Sequence, residues 1–192
     1  GERARDGDYA LNDVGLLRED PFTAARDFEG RADRDVLNTT VLLRRVSGPI
    51  TFSSSTGFVD WRTQDVTDLD YTPAPLIRRD NTEDAFQFTQ EVRFASADSA
   101  ALKLGDRSRL RWQSGVFFFT QDYNQDAINQ FSPFVFGGAP LAVNQHSPRS
   151  VLDDFGVGVF GQGTITFNDR FDLAAGARFD YENKSALLQT FT

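Results

Sequence analysis

From Phe155 onward the apolar residues Phe155, Val157, Val159, Ile165 and Phe167 fall on one parity, and Asp154, Gln162, Thr164, Thr166 and Asn168 on the other. A period of two sends successive side chains to opposite faces of an extended backbone, whereas a helical stripe needs a period of 3.6. After "ND" at 168–169, a common tight-turn pair, the pattern resumes with Phe171, Leu173, Ala175, Ala177, Phe179 and Tyr181 against Asp172, Arg178, Asp180 and Glu182. The two halves read as one long antiparallel hairpin. Within it, "GVGVFG" at 156–161 fits the spacing of a dinucleotide-binding turn. Such a turn needs its glycines between a strand end and a helix start. These glycines lie inside a strand with another strand following, so Gly156, Gly158, Gly161 and Gly163 are assigned to relief of crowding on a bent or closely approached strand.

The alternation recurs upstream. In "FQFTQEVRF" at 86–94, Phe86, Phe88, Val92 and Phe94 oppose Gln87, Thr89, Glu91 and Arg93. In "RLRWQSGVFFFTQ" at 109–121, Leu110, Trp112, Val116 and Phe118 oppose Arg109, Arg111, Gln113 and Gln121, with Phe117 and Phe119 interrupting the polar side. Weaker strands occupy about 36–46 and 50–62, joined by "SGP" at 47–49, which makes six strands. The clearest are longer than an ordinary strand of about 5–6 residues and reach the roughly 9–11 needed to cross a bilayer. Connections alternate in character: "SGP" and "ND" are tight, whereas 63–84 and 122–152, and in the same way 1–34, are long, polar and expected as loops on one side. The link at about 95–107 is intermediate.

Composition narrows the function classes. The chain carries 28 acidic and 20 basic residues, a net charge of −8, with its arginines scattered, which argues against a nucleic-acid partner. Nineteen phenylalanines in a chain this polar require that the two kinds of residue alternate. Cysteine is absent, which excludes a thiolate metal site and a cysteine nucleophile. The longest dense apolar cluster, "GVFFF" at 115–119, is too short for a spanning helix. The polar opening run without an initiator methionine and the ending on "LLQTFT" make a processed chain or a section of a longer one the expectation.

Long strands, short turns on one side and long loops on the other form the pattern of an antiparallel transmembrane β-barrel, with a polar lumen and an apolar band toward lipid. A soluble β-sandwich would bury the same apolar face as its core. Trp61, Trp112, Phe179 and Tyr181, near strand ends, suit an interfacial aromatic girdle.

The segments "ITFSSSTGFVDW" (50–61), "FTQEVRFAS" (88–96), "LRWQSGVFFFTQD" (110–122) and "FGVGVFGQGTITFNDRFDLAAGARFDYENK" (155–184) resemble consecutive barrel strands of the TonB-dependent outer-membrane receptors. The resemblance covers about three quarters of the chain, and order and spacing carry it more than any single motif. It implies an all-β section of such a barrel over 1–192, with no plug, no TonB-recruiting box and no barrel-closing strand within the chain. It further implies a bacterial outer-membrane setting in contact with lipid and coupling to TonB through the missing plug region. The implied activity is uptake of a scarce, bulky nutrient, typically a ferric siderophore, sometimes haem, cobalamin or a glycan, with no enzymatic activity and no cofactor. A passive porin and a soluble all-β ligand-binding domain stand as alternatives.

Glu91, Arg93, Arg111, Gln113, Gln162, Arg178, Asp180 and Glu182 share the polar face and are the lumen-facing candidates. They either contact plug or ligand or form a hydrated wall with cross-strand charge pairs. Phe131, Phe134 and Phe136 on a long loop are a binding surface or the loop's own small core, and the lone His146 is the remaining loop candidate for ligand contact. The acidic run at 65–71, with Asp65, Asp68 and Asp70, lacks the spacing and glycine of a calcium loop and reads as solvated. With one histidine and no G-x-S-x-G elbow, no hydrolytic triad stands out.

Overall fold

A computed structural model describes residues 1–7, 14–97, 100–137 and 143–192, without the side chains of Leu16, Leu17 and Phe136. It consists of strands β1 (Glu2–Gly7), β2 (Arg31–Ser47), β3 (Ile50–Asp68), β4 (Ile77–Ser96), β5 (Leu102–Lys103), β6 (Ser108–Phe131), β7 (Val143–Phe167) and β8 (Phe171–Phe191), with one short helix α1 (Val14–Glu19) and a 3-10 turn at Pro133–Phe136. They form one antiparallel sheet in the order β1-β2-β3-β4-β6-β7-β8, and β5 pairs with β6 beside the end of β4. The all-β architecture follows the sequence reading. No described helix is long and apolar enough to cross a membrane.

Local chemistry explains the tight ends. Asn168 and Asp169 both adopt positive φ, 51° and 56°, which these short polar side chains tolerate and which matches the twist of a hairpin. Between β2 and β3 the turn is Gly48–Pro49, with Gly48 at φ 57°. The two turns do not lie level. Ile50 at the start of β3 pairs with Ser96, while Ser108 at the start of β6 pairs with Phe167. This stagger is the shear of a sheet built to curl.

The strands are much longer than the alternation suggests. β6 and β7 run 24 and 25 residues, β4 runs 20 and β8 runs 21. The expected loop 63–84 shrinks to 69–76, most of 122–152 lies in β6 and β7, and 1–34 contains β1 and the start of β2. The physical reason is visible in the register. Near the turns the outer face is mainly apolar, with Phe52, Phe58, Phe88, Val92, Phe94, Val116, Phe118, Val157, Val159 and Phe179 on adjoining strands, and Ser54, Thr56 and Gln90 among them hydrogen-bonded to one another. Farther out the same face turns polar, with Asp60, Asp84, Asp122 and Asp153, so the apolar-polar contrast ends while the backbone ladder continues.

There is almost no conventional core. Among the described residues the buried apolar ones are Val66, Ala85, Ala97 and Ala127, whereas Val159 is 53 % and Phe179 79 % exposed. Among the described residues no second sheet covers the apolar face, as a β-sandwich would require. A face of this kind belongs against lipid, in the roughly 25 Å apolar band of a barrel wall.

Val159→Arg, at mid-band, should therefore lower the folding free energy of the complete gene product in lipid vesicles by about 2–4 kcal/mol. Thr82→Lys, on the same face beyond the band, should change it by less than about 1 kcal/mol. Urea titration of the refolded variants measures both.

Candidate functional site

Antiparallel partners share a face, so the register assigns every candidate. Arg93 lies opposite Gly115, Glu91 opposite Phe117, Gln113 opposite Gln162, Phe160 opposite Arg178, Gly158 opposite Asp180 and Gly156 opposite Glu182. Arg111 follows Gln113 on the same parity. The eight lumen-facing candidates thus stand on one face, opposite the apolar band. Arg178 donates twice to Asp180, at 2.8 and 2.9 Å. Arg93 sits 3.6 Å from Glu91, Arg111 3.6 Å from Asp172, and Lys184 bridges Glu182 at 2.9 Å and Asp154 at 3.4 Å. Gln113 donates to Gln162 at 3.1 Å.

Three phenylalanines interrupt this charged face, and glycines make room for them. A Cβ on Gly156 would lie 2.3 Å from the Phe119 ring, and one on Gly115 2.5 Å from the Phe160 ring and 2.7 Å from the Val92 carbonyl. On Gly158 it would meet the Asp180 carboxylate at 2.4 Å and the Arg178 guanidinium at 2.9 Å. Arg178 lies 5.5 Å from the Phe117 ring centre, so its charge rests on an aromatic face. Of the "GVGVFG" glycines, Gly156 and Gly158 are seats for side chains of the neighbouring strands, whereas a Cβ on Gly161 would meet nothing closer than 3.8 Å.

Beyond the band the polar face continues as a half-buried wall. Trp61 on β3 and Tyr123 on β6 lean together across Ala85 of β4, with ring centres 6.3 Å apart and planes at 30°. Asn81 donates to Glu83 at 2.8 Å, and Gln125 donates to Asn81 at 2.9 Å and to Glu83 at 3.2 Å. Burial, reinforced by the neighbouring Glu83 carboxylate, pushes the Tyr123 phenol up to about 12. Trp61 therefore faces inward, and only Trp112, Phe179 and Tyr181 of the expected girdle lie on the apolar face, because the alternation of β3 keeps its parity through Trp61. Sequence reading missed this group because its residues sit in stretches expected as loop or as lipid girdle. The signal available was the continuing parity of Asn81, Glu83, Ala85 and Gln87.

The family model described as "TonB dependent receptor-like, beta-barrel" matches residues 2–190. The chain belongs to this family. No curated protein matches it. In this TonB-dependent receptor barrel section, the end away from the tight turns carries the remaining candidates. Phe131 closes β6, and Phe134, in the 3-10 turn capped by Ser132, is 74 % exposed. Phe136 ends that turn, and its side chain lies outside the described residues. His146 lies within β7, not in a loop, on the face of the apolar band. There its Nδ1 is 2.7 Å from Asp126, and its ring stacks 4.6 Å from Phe191.

The acidic run has a structural task in place of solvation alone. Asp68, which ends β3, is fully buried and accepts from the Asp70 and Tyr71 amides at 3.2 and 3.1 Å. Asp70 accepts from the Thr72 amide at 3.1 Å and the Ile77 amide at 2.8 Å, pinning the 69–76 loop. Burial, with Asp70 as a second negative charge, pushes the Asp68 carboxyl up. At Asp70 burial acts in the same direction, but the donors from Thr72 and Ile77 outweigh it and the carboxyl sits low. Among the described residues no group of three or more acidic, histidine or cysteine side chains could hold a metal ion.

A raised carboxyl costs stability as pH climbs from its ordinary value of 3.8 through the raised one, so the Asp68 charge weakens the loop at neutral pH. Asp68→Asn keeps the Oδ1 acceptor and removes the charge, and hydrogen exchange of residues 69–77 at neutral pH should slow. Asp70→Ala should accelerate it, since the lowered carboxyl stabilises above its ordinary value. Gly115→Ala forces a methyl against the Val92 carbonyl and should cost about 1–3 kcal/mol, read as a lower melting temperature.

Proposed function

We propose that the chain forms part of the wall of a bacterial outer-membrane receptor that takes up a scarce, bulky nutrient by TonB-dependent active transport. The observation that carries this reading is the two-sided wall: an apolar outer band near the turns, a charged inner face behind it, and strands continuing well past the band. Such a wall separates lipid from an aqueous passage. The tight turns then face the periplasm, and the 69–76 connection and the Pro133–Phe136 turn face outward with Phe131 and Phe134 near the entrance. TonB acts through a plug region outside this chain. Lipid contacts the outer band, and Glu91, Arg93, Arg111, Gln113, Gln162, Arg178, Asp180 and Glu182 line the passage. A ferric siderophore is the commonest cargo that the resemblance implies, with glycans among the others. The chain performs transport and no covalent chemistry.

The test is substrate accumulation by cells expressing the complete gene product, with and without a protonophore. Uptake should collapse to the level of cells lacking the gene when the proton gradient is removed. Gradient-independent flux that rises linearly with concentration would identify a passive porin.

A further inference from the structure

At the tight-turn end of β5–β8 two turns are fastened side by side. β5 pairs with the start of β6 through Leu102 with Leu110 and Lys103 with Arg109. The Leu104 amide donates to the Ser108 carbonyl at 2.9 Å and closes the turn that carries Arg107. The Asn168 amide donates to the Arg107 carbonyl at 2.8 Å, and the Arg170 amide to the Phe167 carbonyl at 3.0 Å, so the β7–β8 turn is held against the first. Two adjoining cavities of about 340 and 540 Å³ open here, with Arg109 and Asp169 in the walls of both.

Five cations, Lys103, Arg107, Arg109, Arg111 and Arg170, line these cavities against three carboxylates, Asp106, Asp169 and Asp172. Arg109 pairs with Asp169, and Arg111 stands 3.6 Å from Asp172. Among the described residues Lys103, Arg107 and Arg170 form no ion pair, and of the lining carboxylates only Asp106 is left to offset them. In a chain of net charge −8, this excess of cations creates a local field that attracts anions. The outer face supplies a second, independent feature. Apart from Ser108 at the turn itself, its last two rows here are Leu102, Leu110, Ile165 and Leu173, then Phe167 and Phe171. Leu173 and Phe171 are 63 % and 69 % exposed, so the apolar surface runs down to the turns and the cations begin where it stops.

We infer that these two turns hold the headgroup of an anionic phospholipid from the leaflet at the tight-turn end. Acyl chains lying on the apolar rows bring a headgroup phosphate to the level at which the rows stop, where Lys103, Arg107 and Arg170 stand. Guanidinium and ammonium groups bind phosphate oxygens through charge-assisted hydrogen bonds, and basic pockets at a membrane surface hold anionic headgroups in this way. A free anion would use the cations and leave the apolar rows idle. A zwitterionic lipid brings a cation of its own into a cleft already rich in them. The inference goes beyond the transport reading and rests on it only in setting the apolar face against lipid.

The complete gene product in a neutral detergent is titrated with dioleoylphosphatidylglycerol, with dioleoylphosphatidylcholine, which has the same tails, and with glycerol-1-phosphate, which has the phosphate and no tails. Native mass spectrometry counts the molecules retained. Phosphatidylglycerol should be held in clear preference to the other two. Lys103→Gln, Arg107→Gln and Arg170→Gln should each weaken its retention by roughly fivefold, and the triple variant should lose one bound phosphatidylglycerol per protein. The difference between wild type and triple variant counts this site alone, whatever lipid the rest of the barrel holds. Arg62→Gln, on the same outer face at the other end of the strands, should leave retention unchanged. Lys103, Arg107 and Arg170 are all exposed, so the substitutions disturb no packing, and heat-modified electrophoretic mobility checks that each variant is folded. Equal retention by the folded triple variant overturns the site. Glycerol-1-phosphate bound as tightly as the phospholipid, or phosphatidylcholine retained equally well, overturns its assignment to an anionic lipid. Absence of selective retention by the wild type with gradient-dependent uptake intact would sink this inference alone, and selective retention without such uptake would sink only the transport reading.

Discussion

The structure depends on register. Each main strand is paired to its neighbours over nearly its whole length, and because side chains alternate with a period of two, a slip of one residue would carry every apolar side chain to the charged face. The same ladder satisfies backbone amides and carbonyls where an apolar surrounding offers no water to do so. Shift points occur in the β6–β7 and β7–β8 ladders, between Asp126 and Ile128 and between His146 and Arg149. Both lie beyond the apolar band, where the cost of irregular backbone is lower because water is at hand.

With the faces fixed in this way, the inner wall solves a crowding problem. Phe117, Phe119 and Phe160 all stand among the charged residues of this face. Gly156 and Gly115 leave room for the Phe119 and Phe160 rings, and Gly158, opposite Phe117, leaves room for the Arg178 and Asp180 side chains. The charged residues around them are mostly paired along the wall, as in Arg178 with Asp180 and Lys184 with Glu182. Such exposed pairs contribute little stability, and their effect is to give this face a fixed pattern of charge.

Farther out the wall changes character from paired charges to an aromatic pair, amides and buried hydroxyls. His146, expected as a loop ligand, instead ties β7 to Asp126 of β6 and Phe191 of β8 on the other face. The acidic run, expected as a solvated loop, instead builds the turn between β3 and β4 through side-chain acceptors for its own amides.

Parity was legible in the sequence because it is a local property: a strand turns its side chains by half a revolution per residue wherever it lies. It determined the strand class, the tight turns at Gly48–Pro49 and Asn168–Asp169, and the common face of the eight inner candidates. Strand ends were not legible, because β3, β4, β6 and β7 run on through segments polar on both faces, where no contrast marks the backbone as extended. Only the tertiary structure brought Trp61 to Tyr123 across Ala85 and seated Phe119 over Gly156. These meetings depend on the summed register of two ladders, which loop lengths and the stagger of the turns set, and no single stretch of sequence contains it.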